Sequence, residues 1–197
     1  MISGLIDKIE HFIPEPLVGV IGEVMGSKRY DILLSVLRDL DESILFKSDI
    51  HGVTHVERVS FLGLVIAEKM KLSPEDTKLY LTACVYHDSG RRDEWEDRGH
   101  GLRAAEAVGK YVSFEGEDLN IIKAAIDAHD RPDRVMEETI DKYPIRHKDR
   151  AIMMAKLLKD ADGLDRVRVS DLDPSRLRFE ESRKLAGFAE ALFWYYK

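Results

Sequence analysis

The chain has 197 residues, 44% of them hydrophobic, which is enough for one domain with a substantial core and too short for two full domains. Thirty Lys and Arg residues against 37 Asp and Glu residues give a net charge of −7, which argues against a nucleic-acid polymer or an anionic membrane surface as the partner. A local basic pocket can still bind a small phosphorylated molecule.

The sequence predicts a soluble, cytoplasmic protein. No window reaches the ~18 apolar residues of a membrane span, and the segment MISGLIDKIEHFIPEP carries acidic residues early and lacks the apolar stretch of a secretory signal. The single cysteine, Cys84, lies in an apolar run and has no second cysteine to pair with, which fits a reducing compartment. We expect Cys84 to act as a small buried hydrophobic residue.

Apolar spacing predicts two helices in the first part of the chain. The first covers residues 1–12 and is ended by Pro14 and Pro16. Its apolar face consists of Ile2, Leu5, Ile6 and Ile9. The second covers Tyr30 to Leu40 and has one buried face.

A third predicted helix carries two histidines at its start. Asp49 to His51 form a polar entry, and a wide apolar face follows from Val53 to Ile66. His51 and His55 are four residues apart, so both imidazoles lie on one side of the helix. Two imidazoles in this position can share a ligand.

The next predicted helix ends in an adjacent histidine and aspartate, His87 and Asp88. Ser73 caps its start and Pro74 occupies the first helical position, while Gly90 marks its end. Ending an apolar helix with two polar groups is costly unless something binds them, and a divalent metal would bind both.

The second half continues the same pattern. A charged loop from Arg91 to Gly101 contains His100 between two glycines, and such loops often carry function. Four helices are then predicted: Leu102 to Val112; Glu117 to His129; His147 to Leu164, which ends in a segment with Asp160 and Asp162; and Glu181 to Tyr196.

These elements define an all-α protein, a helical bundle of about seven to nine helices without an alternating strand. No repeat or linker divides the sequence, so residues 1–197 are predicted to be a single domain. Imidazoles and carboxylates recur at the ends of at least four apolar helices, and helix ends on one side of a bundle can converge on one cavity.

Three ordered motifs resemble the HD-domain superfamily of metal-dependent phosphohydrolases. They are HxxRV at His55 to Val59, HD at His87 and Asp88, and ADxLD at Ala161 to Asp165. The HD pair alone carries little information, whereas the ordered set with helices between its members is specific. The resemblance covers about residues 50–170 and implies an HD-type core with helical additions at both ends.

The resemblance implies that His55, His87, Asp88 and a distal aspartate hold a divalent metal. Asp162 is the first choice for the distal ligand because it occupies the ADxL position, with Asp160 as the alternative. Imidazole and carboxylate suit Mn, Fe, Co, Ni, Zn or Mg. Two-metal members carry two extra histidines in the region of His100 and His129, and Asp88 would then bridge two ions. His100 follows Asp88 by only twelve positions, a short spacing, so two interpretations of His100 stay open: a ligand of the second metal, or a group that contacts phosphate or protonates a leaving group.

The implied reaction is hydrolysis of a phosphomonoester or phosphodiester in a small molecule, such as a nucleotide, by a water bound to the metal. Asp88 orients this water, and His51, Arg91, Arg92 or His100 holds the phosphate. Arg58 is expected to brace carboxylates inside the domain, and Asp165 to pair with Arg166 or Arg168. Two alternatives stay open: a di-iron oxygenase of the same fold, and a non-catalytic regulator that binds metal or nucleotide.

Overall fold

Helix α4 forms the centre of the fold. The computed structural model describes residues 4–196, and in it every residue of α4 from His55 to Ala67 is buried. Seven other α-helices of the described residues pack against α4, among them α3, α5 and α9. The eleven α-helices of the described residues are α1 Gly4–His11, α2 Val18–Met25, α3 Lys28–Arg38, α4 Val53–Lys69, α5 Pro74–Tyr86, α6 His100–Val108, α7 Gly116–His129, α8 Met136–Ile140, α9 Lys148–Leu164, α10 Glu180–Lys184 and α11 Ala186–Tyr196.

The all-α prediction is confirmed, since residues 4–196 contain no strand. Short 3₁₀ helices cover Glu15–Leu17, Glu42–Ile44, Asp133–Val135, Asp165–Val169 and Pro174–Arg176. None of the described helices is long and apolar enough to cross a membrane.

Several predicted boundaries differ from the structure. The first helix begins at Gly4, and Ile2 of its predicted apolar face lies outside the described residues. The predicted helix from Glu181 to Tyr196 is two helices, α10 and α11. The number of helices exceeds the expected range because α8 and α10 have only five residues each, too few to show an apolar period.

The start of α5 follows the local chemistry of its sequence. The Ser73 side chain accepts a hydrogen bond of 3.0 Å from the Asp76 N–H, and Pro74 stands at the first helical position. Along α5, Cys84 is buried as a free thiol, as predicted. A Cβ atom on Gly63 of α4 would lie 2.9 Å from Cys84 Sγ, so glycine at this position allows α4 and α5 to pack closely.

One end of the bundle collects the polar helix ends. The start of α4, the end of α5, the start of α6 and the ends of α7 and α9 all reach it, since their polar residues contact one another there. A Cβ on Gly90 would lie 2.3 Å from the His100 carbonyl oxygen, so glycine after α5 lets α6 begin directly beside it. The arrangement places the histidines of four of these segments and an aspartate of the fifth within reach of one another.

Candidate metal centre

Five histidines and two aspartates meet at this end of the bundle. They come from helix starts, helix ends and the residues that follow them. We call this set the histidine–aspartate cluster: His51, His55, His87, Asp88, His100, His129 and Asp162. Within it, three groups of three residues offer ligand atoms that lie within 4.8 Å of one another. The three groups are His51, His55 and Asp88; His55, His87 and Asp162; and His87, Asp88 and His129.

Four of the imidazoles have their Nδ1 atom engaged by an oxygen acceptor. The Nδ1–H groups of His87, His100 and His129 donate to backbone carbonyl oxygens at 2.8, 2.7 and 2.6 Å. His55 Nδ1–H donates to Asp165 Oδ2 at 2.8 Å. A carbonyl oxygen can only accept, so the proton is on Nδ1 and the Nε2 lone pair faces the cluster.

The Nε2 atoms face one another in two pairs. His55 Nε2 and His87 Nε2 are 3.1 Å apart, and His100 Nε2 and His129 Nε2 are 3.0 Å apart. Two lone pairs at this distance repel unless a positive charge lies next to both. The donor set therefore fits divalent cations. Zinc, for example, binds imidazole nitrogen at about 2.0–2.1 Å.

Asp88 connects the two pairs. Its Oδ1 lies 3.0 Å from His100 Nε2 and 3.7 Å from His129 Nε2, and its Oδ2 lies 3.6 Å from His55 Nε2. Asp162 Oδ1 lies 3.5 Å from His55 Nε2 on the far side of the first pair. A carboxylate between two imidazole pairs is arranged to contact two cations at once.

The protonation states suit metal binding. Burial lowers the pKa of His87 to about 3, and burial together with the charge of Arg168 lowers the pKa of His55. Burial would raise the pKa of Asp162, but Arg168 and the imidazole of His55 hold it below its ordinary value. Neutral imidazoles and an ionised carboxylate at neutral pH are the forms that coordinate metals.

A second layer of residues holds the histidines in place. Arg58 donates to both oxygens of Asp165, at 2.6 and 3.0 Å, and Asp165 in turn fixes His55. Asp130 accepts hydrogen bonds from the N–H groups of Gly99 and Gly101, at 3.0 and 3.3 Å, around His100. Sequence reasoning missed the roles of Asp165 and Asp130 because their partners lie on other helices.

The distal aspartate of the cluster is Asp162, while Asp160 lies outside it. Asp160 accepts hydrogen bonds from the N–H groups of Arg178 and Phe179, at 2.8 and 2.9 Å, and pairs with the Arg178 side chain. Residues two positions apart in a helix point about 200° away from each other, so Asp160 and Asp162 face opposite sides of α9. The alternative that favoured Asp160 as a ligand therefore lacks geometric support.

The basic residues after Asp88 separate in the same way. Arg91 Nε donates to Asp88 Oδ2 at 3.1 Å, and Arg91 Nη2 lies 3.4 Å from His100 Nε2. Arg92 is exposed and forms a hydrogen bond only through its backbone N–H, to Asp97, so the structure does not place it in the expected substrate-binding position. Asp165 pairs with Arg58, and Arg168, one of its two predicted partners, lies 3.6 Å away through Nη1. The other predicted partner, Arg166, pairs with Asp171 instead.

Two cavities open onto the cluster. One of about 650 Å³ lies beside His100, and its wall includes Arg91, Trp95, Arg98, Arg131 and Arg134. Trp95 is 82% exposed there, so its ring faces solvent at the cavity wall. The other cavity, of about 260 Å³, reaches His129 and Asp162 and is lined by Lys159, Arg176 and Arg178. The walls of both cavities carry acidic side chains alongside the basic ones, among them Asp97 in the larger cavity and Asp171 in the smaller one.

Fold and site together define an all-helical protein with a buried histidine–aspartate cluster suited to divalent metals. The HD domain family matches residues 52–167, more than half of the chain, and the chain belongs to this family. The resemblance in the sequence motifs is thereby confirmed, and with it membership of a superfamily of metal-dependent hydrolases. No curated protein and no solved structure gives a significant match to the chain.

Proposed function

We propose that the protein is a metal-dependent phosphohydrolase that cleaves a phosphomonoester or phosphodiester of a small molecule such as a nucleotide. The observation that carries this proposal is the pair of Nε2–Nε2 approaches of 3.1 and 3.0 Å on either side of Asp88. In the neutral imidazoles the Nδ1–H groups are engaged elsewhere, so the Nε2 lone pairs face one another and the site favours positive charge.

The same geometry supports a two-metal site. His55, His87, Asp88 and Asp162 would hold one cation, and His100, His129 and Asp88 would hold the second. Bound there, divalent cations polarise a phosphoryl oxygen and lower the pKa of a coordinated water towards neutrality, which supplies the attacking hydroxide. His100 lies 3.0 Å from both Asp88 and His129, which favours a ligand role over the alternative of phosphate contact.

The charge of the site favours an anionic substrate. Four carboxylates contact the imidazoles, and three guanidinium groups contact those carboxylates, which leaves one excess negative charge. A single divalent cation makes the balance positive, and a second makes it strongly so. The groups are Asp88, Asp130, Asp162 and Asp165, with Arg58, Arg91 and Arg168. Phosphate esters match this field, whereas a neutral substrate gains little from it.

The chain's own residues also support the positioning of substrate. Arg91 orients Asp88 through the bond to Oδ2 and presents its guanidinium beside His100 at the cavity wall. His51 lies in the turn before α4 with its Nδ1 3.4 Å from Asp88 Oδ2, and this position at the edge of the cluster supports contact of its imidazole with the substrate. A nucleotide fits the larger cavity in volume, and the exposed ring of Trp95 offers a surface on which a base can stack.

Metal content and turnover of two variants test the proposal. The purified protein is screened against a panel of phosphate esters with Mn, Co, Ni and Mg added in turn, alongside His87→Ala and Asp88→Ala. Both substitutions should abolish bound metal and turnover together. His147→Ala, which removes an exposed imidazole, serves as the control and should change neither. Turnover that persists in His87→Ala and Asp88→Ala would rule the mechanism out.

A di-iron oxygenase is the second candidate. Four imidazoles and a shared carboxylate are also a suitable ligand set for two iron ions, so the geometry supports this chemistry as well. Metal analysis of protein purified without added metal, with a visible spectrum, separates the two. Two irons per chain and consumption of dioxygen would favour the oxygenase. Tight metal retention without either activity would favour a non-catalytic regulator.

A further inference from the structure

Arg168 lies at the edge of the histidine–aspartate cluster. It belongs to the 3₁₀ helix Asp165–Val169 that follows α9, and its side chain is only 8% exposed. Its Nη2 is 3.7 Å from Asp162 Oδ1 and 3.5 Å from His51 Nδ1. The guanidinium group therefore borders two residues of the cluster that are far apart in the sequence, His51 before α4 and Asp162 near the end of α9.

Two of the three nitrogens of this guanidinium group are left without acceptors. Nε and Nη1 are buried and have no hydrogen-bond partner among residues 4–196. The closest carboxylate to Nη1 is Asp165 at 3.6 Å, beyond hydrogen-bond distance. Leaving charged donors buried and unsatisfied is costly, so such donors usually have a partner in the working state of a protein.

The neighbouring arginines already orient the carboxylates of Asp165 and Asp88. Arg58 already donates to both oxygens of Asp165, at 2.6 and 3.0 Å, and Asp165 also accepts from His55. Arg91 uses Nε on Asp88 and Nη1 on the Asp93 carbonyl oxygen. Arg168 is thus the guanidinium of this region that still has buried donors to offer.

We propose that Arg168 binds the oxyanion of a phosphoryl group at the metal centre and determines the preference for phosphate. The proposal rests on the proposed function and extends it to a residue outside the motifs. A guanidinium group presents parallel N–H donors that match two oxygens of a phosphate. Its position beside Asp162 and His51 supports contact with an anion bound at the cluster.

Binding of inorganic phosphate tests the role of Arg168 without requiring turnover. Phosphate is titrated calorimetrically into the metal-loaded wild-type protein, Arg168→Ala and Arg168→Lys, and the metal content of each sample is measured. Arg38→Ala removes an exposed arginine at the end of α3 and serves as the control. We expect Arg168→Ala to keep its metal and to weaken phosphate binding about tenfold to a hundredfold, the loss of one or two charge-assisted hydrogen bonds.

The phosphate affinity of Arg168→Lys should lie between those of the wild type and Arg168→Ala, since lysine keeps the charge but not the paired donors. Unchanged phosphate affinity in Arg168→Ala would overturn the proposal, as would loss of metal from both Arg168 variants. Absence of phosphate binding in the metal-loaded wild type would overturn it too. If the ester panel shows no turnover but Arg168→Ala weakens phosphate binding, the proposed hydrolysis fails and the anion site stands. If the ester panel shows turnover but Arg168→Ala binds phosphate as tightly as the wild type, the proposed hydrolysis stands and the anion site fails.

Discussion

Asp165 and His55 form a buried hydrogen bond of 2.8 Å between residues that belong to different motifs, and Arg58 donates to both oxygens of the same carboxylate. The bond fixes the proton of His55 on Nδ1 and turns Nε2 towards His87 and Asp162. Asp165 lies outside the histidine–aspartate cluster, yet it sets the orientation of the His55 ring within the cluster.

Asp165→Ala should weaken metal binding about tenfold to a hundredfold, because His55 loses the acceptor that orients its ring. Metal titration of the purified variant measures the change. Asp171→Ala, which removes a surface partner of Arg166, is the matched control and should bind metal like the wild type. Equal metal affinity for Asp165→Ala and the wild type would show that His55 is held without Asp165.

Gly101→Ala should separate His100 from His129. A Cβ at this position would lie 2.7 Å from the Ile126 carbonyl oxygen and 3.0 Å from Asp130 Oδ1, so α6 must shift away from α7. Such overpacking costs about 1–3 kcal/mol of unfolding free energy. We expect the number of bound metal ions to fall from two to one, as measured by elemental analysis.

Gly187→Ala is the control for this substitution, because a Cβ at Gly187 in α11 has nothing within 4 Å. It should leave metal content unchanged and keep or raise stability, since alanine is the better helix former by about 0.5–1 kcal/mol. Full metal occupancy in Gly101→Ala would contradict the close approach of α6 and α7 as a requirement for the second cation.

The metal-free protein should lose stability as the pH falls. Burial lowers the pKa of His87 to about 3, so between about pH 6.5 and this value the unfolded chain binds a proton that the folded chain does not. The unfolding free energy therefore decreases with decreasing pH in this window, and the lowered pKa of His55 acts in the same direction. Burial lowers the pKa of His129, but Asp88 raises it above its ordinary value, so His129 opposes the trend.

Urea unfolding of the metal-free wild type and of His87→Gln over a series of pH values isolates the contribution of His87. The variant lacks the titrating group, so its stability should depend less steeply on pH in the same window. Parallel pH profiles for the two proteins would show that His87 is not held neutral by the fold.

Metal binding should raise the melting temperature. A cation that binds only the folded chain, at about 100 times its Kd, stabilises it by about 2.7 kcal/mol, or roughly 5–10 °C for a chain of this size. Thermal unfolding with and without a chelator measures the shift. His87→Ala should show little of this shift in melting temperature, and His147→Ala should show the full shift. A full shift in His87→Ala would mean that the cation binds elsewhere.

Much of the fold could be predicted because apolar periods reach the ends of the long helices. The segment from Leu79 to Asp88 shows both the helix and the residues it delivers, and the structure brings His87 and Asp88 to the cluster. The five-residue helix α8 was missed and α10 was merged with α11, because one turn of helix leaves no period in the sequence.

The sequence predicted which residues belong to the cluster, but it did not predict how they are arranged in space. The short spacing between Asp88 and His100 argued against a shared site, yet Gly90 allows α6 to begin next to α5. The positions of Asp160 and Asp162 depend on which face of α9 points to α4, and Asp160 lies on the other face, where Arg178 and Phe179 donate to it. Arg168 carried no motif at all, since its unsatisfied donors are visible only in three dimensions.

His55 and Asp165 lie 110 positions apart in the chain, and this distance sets the order of events during biosynthesis. A chain emerging from the ribosome exposes His55 long before Asp162 and Asp165 have been synthesised. Closing so long a loop carries an entropic cost, which the buried apolar side chains of α4 offset when the helices pack. The complete set of ligand residues therefore exists only after the last helix of the cluster has been synthesised and packed, and a cation that needs the whole set would bind after that step.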